Sequence, residues 1–300
     1  MSAGSIDSGT ALAALAVVSF SFSFPATAWA LHGFGPWTTT GVRGLLAGLL
    51  AAACLTRARV PVPERRHWPA LLTVAGGCVL GFPLLTTLAL RTSGSAHSAV
   101  VIGVLPLATA IVSAALTGRR QSRTFWTAAA FGALAVVAFT LVQSRGLPTL
   151  GDAFLFGALL VCAAGYAQGG RLASFLPGWQ VIAWGVVAAL PVSVLVAAVA
   201  LVREPVHPTA KAVTGLAYLA AVSQFGGFVL WYRGMAEIGV PRASQLQLAQ
   251  PLLTLVWSAV LLGEHLSPLA PVTALAVLAC IAATQRAPRP RPGAASTDGS

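Results

Sequence analysis

Gln247, Gln250, Thr254 and Ser258 recur at i, i+3, i+7 and i+11 in an otherwise apolar run. That spacing puts two amides and two hydroxyls on one helix face, polar over about three turns. None of the four has a base beside it to make it a nucleophile, and none is a metal ligand of choice. What they offer is neutral hydrogen bonding, since an amide both donates and accepts and so does a hydroxyl. Polar side chains in an apolar helix face a bundle interior or a water-filled cavity. A polar face of this kind suits reversible binding of a small solute. Plain helix–helix hydrogen bonding is the competing use. The two glutamines are bulkier than close packing wants, which favours the cavity.

The same outline occurs 145 positions earlier, where Pro106 stands against Pro251 and Gly118 against Gly263. Gly94, Leu107, Thr109, Ser113, Ala114 and Leu116 match Gly239, Leu252, Thr254, Ser258, Ala259 and Leu261 without a gap. Alanine and leucine matches are cheap in so apolar a chain. The weight rests on Gly94, Pro106, Thr109, Ser113 and Gly118. Thr109 and Ser113 form the corresponding stripe, and pseudo-symmetry is expected to bring it against Thr254 and Ser258. Each proline leaves a carbonyl one turn earlier without its helical donor. Freed carbonyls are tolerated at membrane depth where they line a cavity. Tyr166 and Gln168 are further candidates for solute contact, with Tyr218, Gln224, Trp231 and Tyr232 behind them. Ser19, Ser23 and Thr27 share another helix face, as open to packing as to binding. Arg43 is expected near a span end, where it could attract an anion or snorkel to the interface.

Composition names the solvent these elements need. The chain is 57% hydrophobic and 8% charged, with a mean hydropathy of +0.82. Soluble domains carry about 25% charged residues, so lipid must bathe most of this surface. Spanning backbone in lipid is helix or closed barrel, and long apolar runs choose helix. The expectation is an all-α integral membrane protein with ten transmembrane helices, built as two inverted five-helix repeats. Residues 1–10 are an N-terminal tail, 11–143 the first repeat and 144–152 a link. Residues 153–284 are the second repeat, and 285–300 a disordered, Arg/Pro-rich tail. The third span is expected to break near Gly81-Phe82-Pro83, and residues 32–40 to form a turn. Glu264 is expected to close the ninth span. Five spans per half is odd, so the halves must lie inverted, as in many secondary transporters.

The net charge of +11 is placed as a topology signal. With both termini in the cytoplasm, thirteen of the 18 basic residues fall on the cytoplasmic side. Such asymmetry orients membrane proteins and meets anionic lipid head groups; no nucleic-acid partner is implied. The expected location is the cell inner membrane, multi-pass. Cys54, Cys78, Cys162 and Cys280 stand singly in apolar runs, which suggests no metal site, disulfide framework or cofactor. A membrane enzyme would need a nucleophile–base pair, a metal cluster or paired acids, and no such motif occurs. The seven acids all sit in loops, tails or span ends. That favours a neutral or zwitterionic solute, with His97 the one histidine near a pathway.

With these features in hand, the chain resembles the EamA-type permeases of the drug/metabolite transporter superfamily. The resemblance covers about Leu12 to Thr284. It is strongest over Pro251 to Gly263-Glu264, with Phe24-Pro25-Ala26-Thr27 followed by Arg43 as a second match. The first half departs from the pattern, with Arg119 where Glu264 stands in the second. The resemblance implies a ten-helix basket around a central cavity. It also implies a small-molecule substrate: an amino acid, metabolite or drug moved in or out. A non-transporting membrane scaffold or sensor is the alternative, and would need no polar stripe.

A reporter fused after Ser300 tests the orientation. Cytoplasmic-type activity is the expected result, and periplasmic-type activity would overturn the assignment.

Overall fold

The computed structural model describes residues 8–117, 122–143, 149–238, 246–247 and 249–286. The tails at 1–7 and 287–300, most of the link, Arg119, Arg120, Arg145, Arg242, Arg289 and Arg291 lie outside the described residues. Among the described residues every regular element is helical. Eight helices are long and apolar enough to cross a membrane. They are α1 (Ser8–Ala30), α2 (Pro36–Arg57), α3 (Arg65–Ala89), α4 (Ser95–Leu116), α5 (Arg123–Val142), α6 (Leu150–Leu172), α7 (Gly178–Arg203) and α8 (Ala210–Gly234). Two shorter apolar helices follow, α9 (Ala249–Leu262) and α10 (Leu269–Arg286). The expected turn at 32–40 is shorter than the sequence suggested. Gly35 and Pro36 start α2 there, because proline suits the first helical position, where its missing N–H costs nothing.

Packing is inverted relative to a soluble protein. Large side chains point out: Phe131 is 66% exposed, Leu195 64% and Val260 71%. Small ones sit inside, with Ala13, Ala16, Ala26, Ala47 and Ala51 fully buried. Lipid tails are as apolar as leucine, so close approach of small residues holds such helices together. The α2–α7 seam shows this, for a Cβ on Gly41 would stand 2.5 Å from the Ala197 nitrogen.

The principal helix pairings obey one rule. α2 packs on α7, α4 on α9 and α5 on α10. α1 packs on α8 as α3 packs on α6, and α1 meets α9 as α4 meets α6. Exchanging each helix for the one five places along maps this set onto itself.

Four spans are interrupted. α1 breaks at Phe22, between Ser21 and Ser23. α4 breaks after Ile102 and resumes at Leu105, just before Pro106. α3 widens into a π-helix over Ala75–Gly81, and α8 does so over Leu219–Gly226. These two π-stretches lie about 145 positions apart, the spacing of the sequence repeat. The expected break at Gly81-Phe82-Pro83 is thus a wide turn in a continuous helix. Pro83 cannot donate one turn back, and a wider turn absorbs the mismatch.

The break in α1 is repaired from another helix. Pro25 leaves the Ser21 carbonyl without its donor, and Thr254 Oγ1 from α9 donates to it at 2.8 Å. Trp257 Nε1 donates to Ser21 Oγ at 2.9 Å. Glu264 closes α9 through its backbone, as the sequence suggested, its N–H donating to the Ser258 carbonyl at 3.1 Å, while its side chain serves another helix. Gly263 takes φ 67°, a left-handed turn that suits glycine. It turns the chain so that Glu264 accepts from the N–H groups of Ser95 (2.8 Å) and Ala96 (2.9 Å), at the start of α4. Glu204, just past α7, likewise accepts from Trp37 and Thr38 at the start of α2. Free N–H groups and the positive dipole end make a helix start a natural carboxylate site.

The substitution Thr254→Val tests the repair. It leaves the Ser21 carbonyl buried and unmatched, and is expected to cost about 0.6–1.7 kcal/mol, the range for hydrogen bonds between membrane helices. A lower melting temperature in detergent should appear for Thr254→Val and not for Thr254→Ser. Equal melting of both variants would leave the bond without structural weight.

Candidate functional site

The interruptions converge on a central cavity of about 80 Å³. The π-stretch of α3 contributes Cys78, with Phe82, Pro83 and Thr86 in the following turns. The π-stretch of α8 contributes Ser223 and Gln224, with Phe228 beyond them. The break in α1 presents Ser23, Phe24 and Thr27. α2 adds Arg43, α6 adds Cys162 and Tyr166, and the break in α4 adds Ile102 and Leu105. Gln247 and Gln250 complete the wall. A smaller void of about 40 Å³ shares Phe24, Ile102, Leu105, Gln247 and Gln250, and reaches Gly103, Pro106 and Pro251. The two prolines of the repeat thus flank the same space. A wider hollow of about 470 Å³ lies on the loops by Glu204, with Arg91, Arg203 and His207. Like the central cavity it draws on both halves, but only at one end of the bundle.

Several wall positions come in matched pairs. Counting 145 positions on from Cys78, Ile102 and Leu105 reaches Ser223, Gln247 and Gln250. The backbone positions correspond, and the chemistry does not. The first half supplies a thiol and two aliphatic chains where the second supplies a hydroxyl and two amides.

Hydrogen bonding divides the wall. Ser23 Oγ and Ser223 Oγ lie 2.7 Å apart. Arg43 Nη2 donates to Ser223 Oγ at 3.4 Å, and Arg43 Nε has no partner. Thr27 and Thr86 donate to carbonyls one turn back, of Ser23 and Phe82. The Tyr166 ring meets Phe228 edge to face, with centroids 6.3 Å apart. Arg43 is the one charged residue among the described residues of the wall.

The sequence candidates separate into two groups. Gln247, Gln250 and Tyr166 stand on the cavity wall. Thr254 and Ser258 lie outside it, with Thr254 bonded to Ser21 and Ser258 Oγ donating to Ser95 Oγ at 3.0 Å. Gln168 also lies outside, accepting from Arg171 Nη1 at 3.2 Å. The stripe of Thr109 and Ser113 does not face that of Thr254 and Ser258. Ser258 meets Ser95, and Ser113 stands 18 positions further along α4, about 27 Å of helix. Antiparallel helices that cross near their prolines carry equivalent residues in opposite directions, so the stripes diverge. Thr109 Oγ1 is enclosed without a partner.

Arg43, Ser23, Thr27 and Gln224 belong to the wall, and sequence reasoning ranked them low or left them balanced against packing. For Arg43 the cause is the misplaced start of α2. Counted from Pro36 it lies about two turns inside the helix, roughly 10 Å deep, and it is 6% exposed. His97 is not on the wall. It pairs with Asp152 at 2.7 Å, at the bundle end that holds Glu264.

The comparisons with known proteins agree with this architecture. One crystal structure superposes on 94% of this chain and 99% of its own, with a TM-score of 0.64 and 20% identity, and so shares the fold. An uncharacterized transporter of Bacillus subtilis (strain 168), YdeK, is 42% identical over 275 residues, covering 91% of this chain and 95% of the relative. The model of the EamA-like transporter family matches twice, over residues 7–141 and 149–284, one match to each half. By these two matches and the relative's identity, the chain belongs to the EamA-like transporter family.

Proposed function

We propose that the protein is a permease that moves a small neutral or zwitterionic metabolite, amino-acid-like, or a drug of similar size, through the central cavity by alternating access. The observation that carries this is the pair Gln247 and Gln250, both half-buried and both on the cavity wall. An amide offers donor and acceptor without a charge, so it can read either end of an amino-acid-like solute. Transport, and no chemical step, is the activity assigned.

Alternating access needs two bodies that can rock. Support comes from the pairing rule, under which the helices exchange five places along, and from the two π-stretches one repeat apart. We take α9 and α10 as the ninth and tenth spans, which makes five per half and the halves inverted. With both termini in the cytoplasm of a cell with an inner membrane, the ends of α7 and α9 and the starts of α2, α4 and α6 face outward. Glu204, Glu264 and Asp152 then tie the halves together on the outer side.

Replacing Gln247 or Gln250 by Leu removes the amide and fills its space with an apolar chain. An unmatched polar group on the solute costs about 1–3 kcal/mol, or roughly 5- to 150-fold in affinity. Transport normalised to expressed protein should fall by that order for Gln247→Leu and for Gln250→Leu, with abundance little changed. Full transport in both variants would reduce the two glutamines to packing residues.

A further inference from the structure

Among the described residues, Arg43 is a buried cation without a counter-ion. Its side chain is 6% exposed on the cavity wall, with Nε unpartnered and one long bond from Nη2 to Ser223 Oγ, at 3.4 Å. A guanidinium has five donors and no acceptor. Leaving such a group buried and unpaired is costly, and the usual remedy is a carboxylate or phosphate held by two parallel bonds.

No carboxylate of the described chain is free to serve. Asp152 is held by His97 and Thr149. Glu204 and Glu264 cap α2 and α4. Glu64 pairs with Arg66 at the surface, and Glu237 accepts from Ser8. None of these lines the cavity. The missing acceptor is therefore brought in by the solute.

The rest of the wall limits its size and shape. A cavity of about 80 Å³, at about 10–15 Å³ for each water-sized probe, holds on the order of five to eight non-hydrogen atoms. Phe24, Phe82 and Phe228 offer apolar surface on the same wall, and Gln247 and Gln250 offer neutral hydrogen bonds. Taking the permease function above as given, we propose that Arg43 binds the carboxylate of the transported solute, which narrows the substrate class to zwitterions that pair a carboxylate with a short apolar body, such as small amino acids.

The test uses the full chain and two readouts. Purified protein is melted in detergent with propionate, L-alanine, propionamide, ethylamine or sodium chloride at equal concentration. The same protein in liposomes is assayed for uptake of labelled L-alanine, lactate, alaninamide and 1,2-propanediol. Propionate and L-alanine should raise the melting temperature, and propionamide and ethylamine should not. Uptake should favour L-alanine over alaninamide and 1,2-propanediol, with lactate reporting whether the amine is also needed, and R43Q should lower L-alanine uptake by about tenfold or more, the worth of a charge-assisted bond. R43K should retain part of it.

The propionate–propionamide contrast needs only the wild type, so a poorly folded variant does not blunt the test. An equal shift with sodium chloride would mark a small-anion site and overturn the proposal. So would equal uptake of solutes with and without a carboxylate, or carboxylate uptake unchanged in R43Q; in either case the permease function stands. No melting shift with either carboxylate also overturns it. A carboxylate shift that R43Q abolishes, with no uptake of any solute, would keep the Arg43 site and sink the permease function.

Discussion

Inside a bilayer an unpaired backbone N–H or carbonyl has no water to turn to, so each must find a partner within the protein. The break in α1 and the starts of α2 and α4 answer to that constraint. The carbonyl orphaned by Pro25 is met by Thr254. The starts of α2 and α4 receive carboxylates carried by the ends of α7 and α9. In each case the donor or acceptor comes from the other half of the chain. The polar repairs are therefore also the ties between halves. They leave the centre of the bundle, where π-turns and breaks meet, as the place where backbone and side chain line open space.

The same constraint sorts polar side chains by length. Many short hydroxyls bond to the backbone of their own helix, even some on the cavity wall. Thr27 bonds to Ser23, Thr86 to Phe82 and Ser258 to Thr254, each one turn back. Such back-bonding is the ordinary fate of serine and threonine in a helix. Longer groups, the two glutamines, Tyr166 and Arg43, extend past their own backbone to the cavity. A stripe of helical spacing thus splits by reach. Gln247 and Gln250 face the cavity, and Thr254 and Ser258 from the same run join helices.

Much of this was legible in the residues and some was not. Hydropathy and charge sparsity were enough for a helical membrane protein, because lipid leaves few alternatives. The recurrence of Pro106 as Pro251 pointed to the two family matches, one in each half. The depth of Arg43 was hidden by a helix start misplaced at Gly41 instead of Pro36. The π-stretches left only faint traces, in Gly76-Gly77 and Gly226-Gly227, since π-turns follow from tertiary fit more than from composition. The divergence of the two hydroxyl stripes could not be read from a linear offset, which is silent on the direction in which matched helices run.

The matched wall positions carry one more consequence. Cys78, Ile102 and Leu105 correspond to Ser223, Gln247 and Gln250, so a backbone with paired positions is lined by unlike chemistry from its two halves. A solute with one greasy and one polar side can settle against them in a single orientation. Under the alternating access proposed above, rocking the halves changes which exit is open and leaves that orientation untouched. Handedness is therefore judged by the same surfaces whichever way the solute travels. A preference for one mirror image on the way in must be the same preference on the way out.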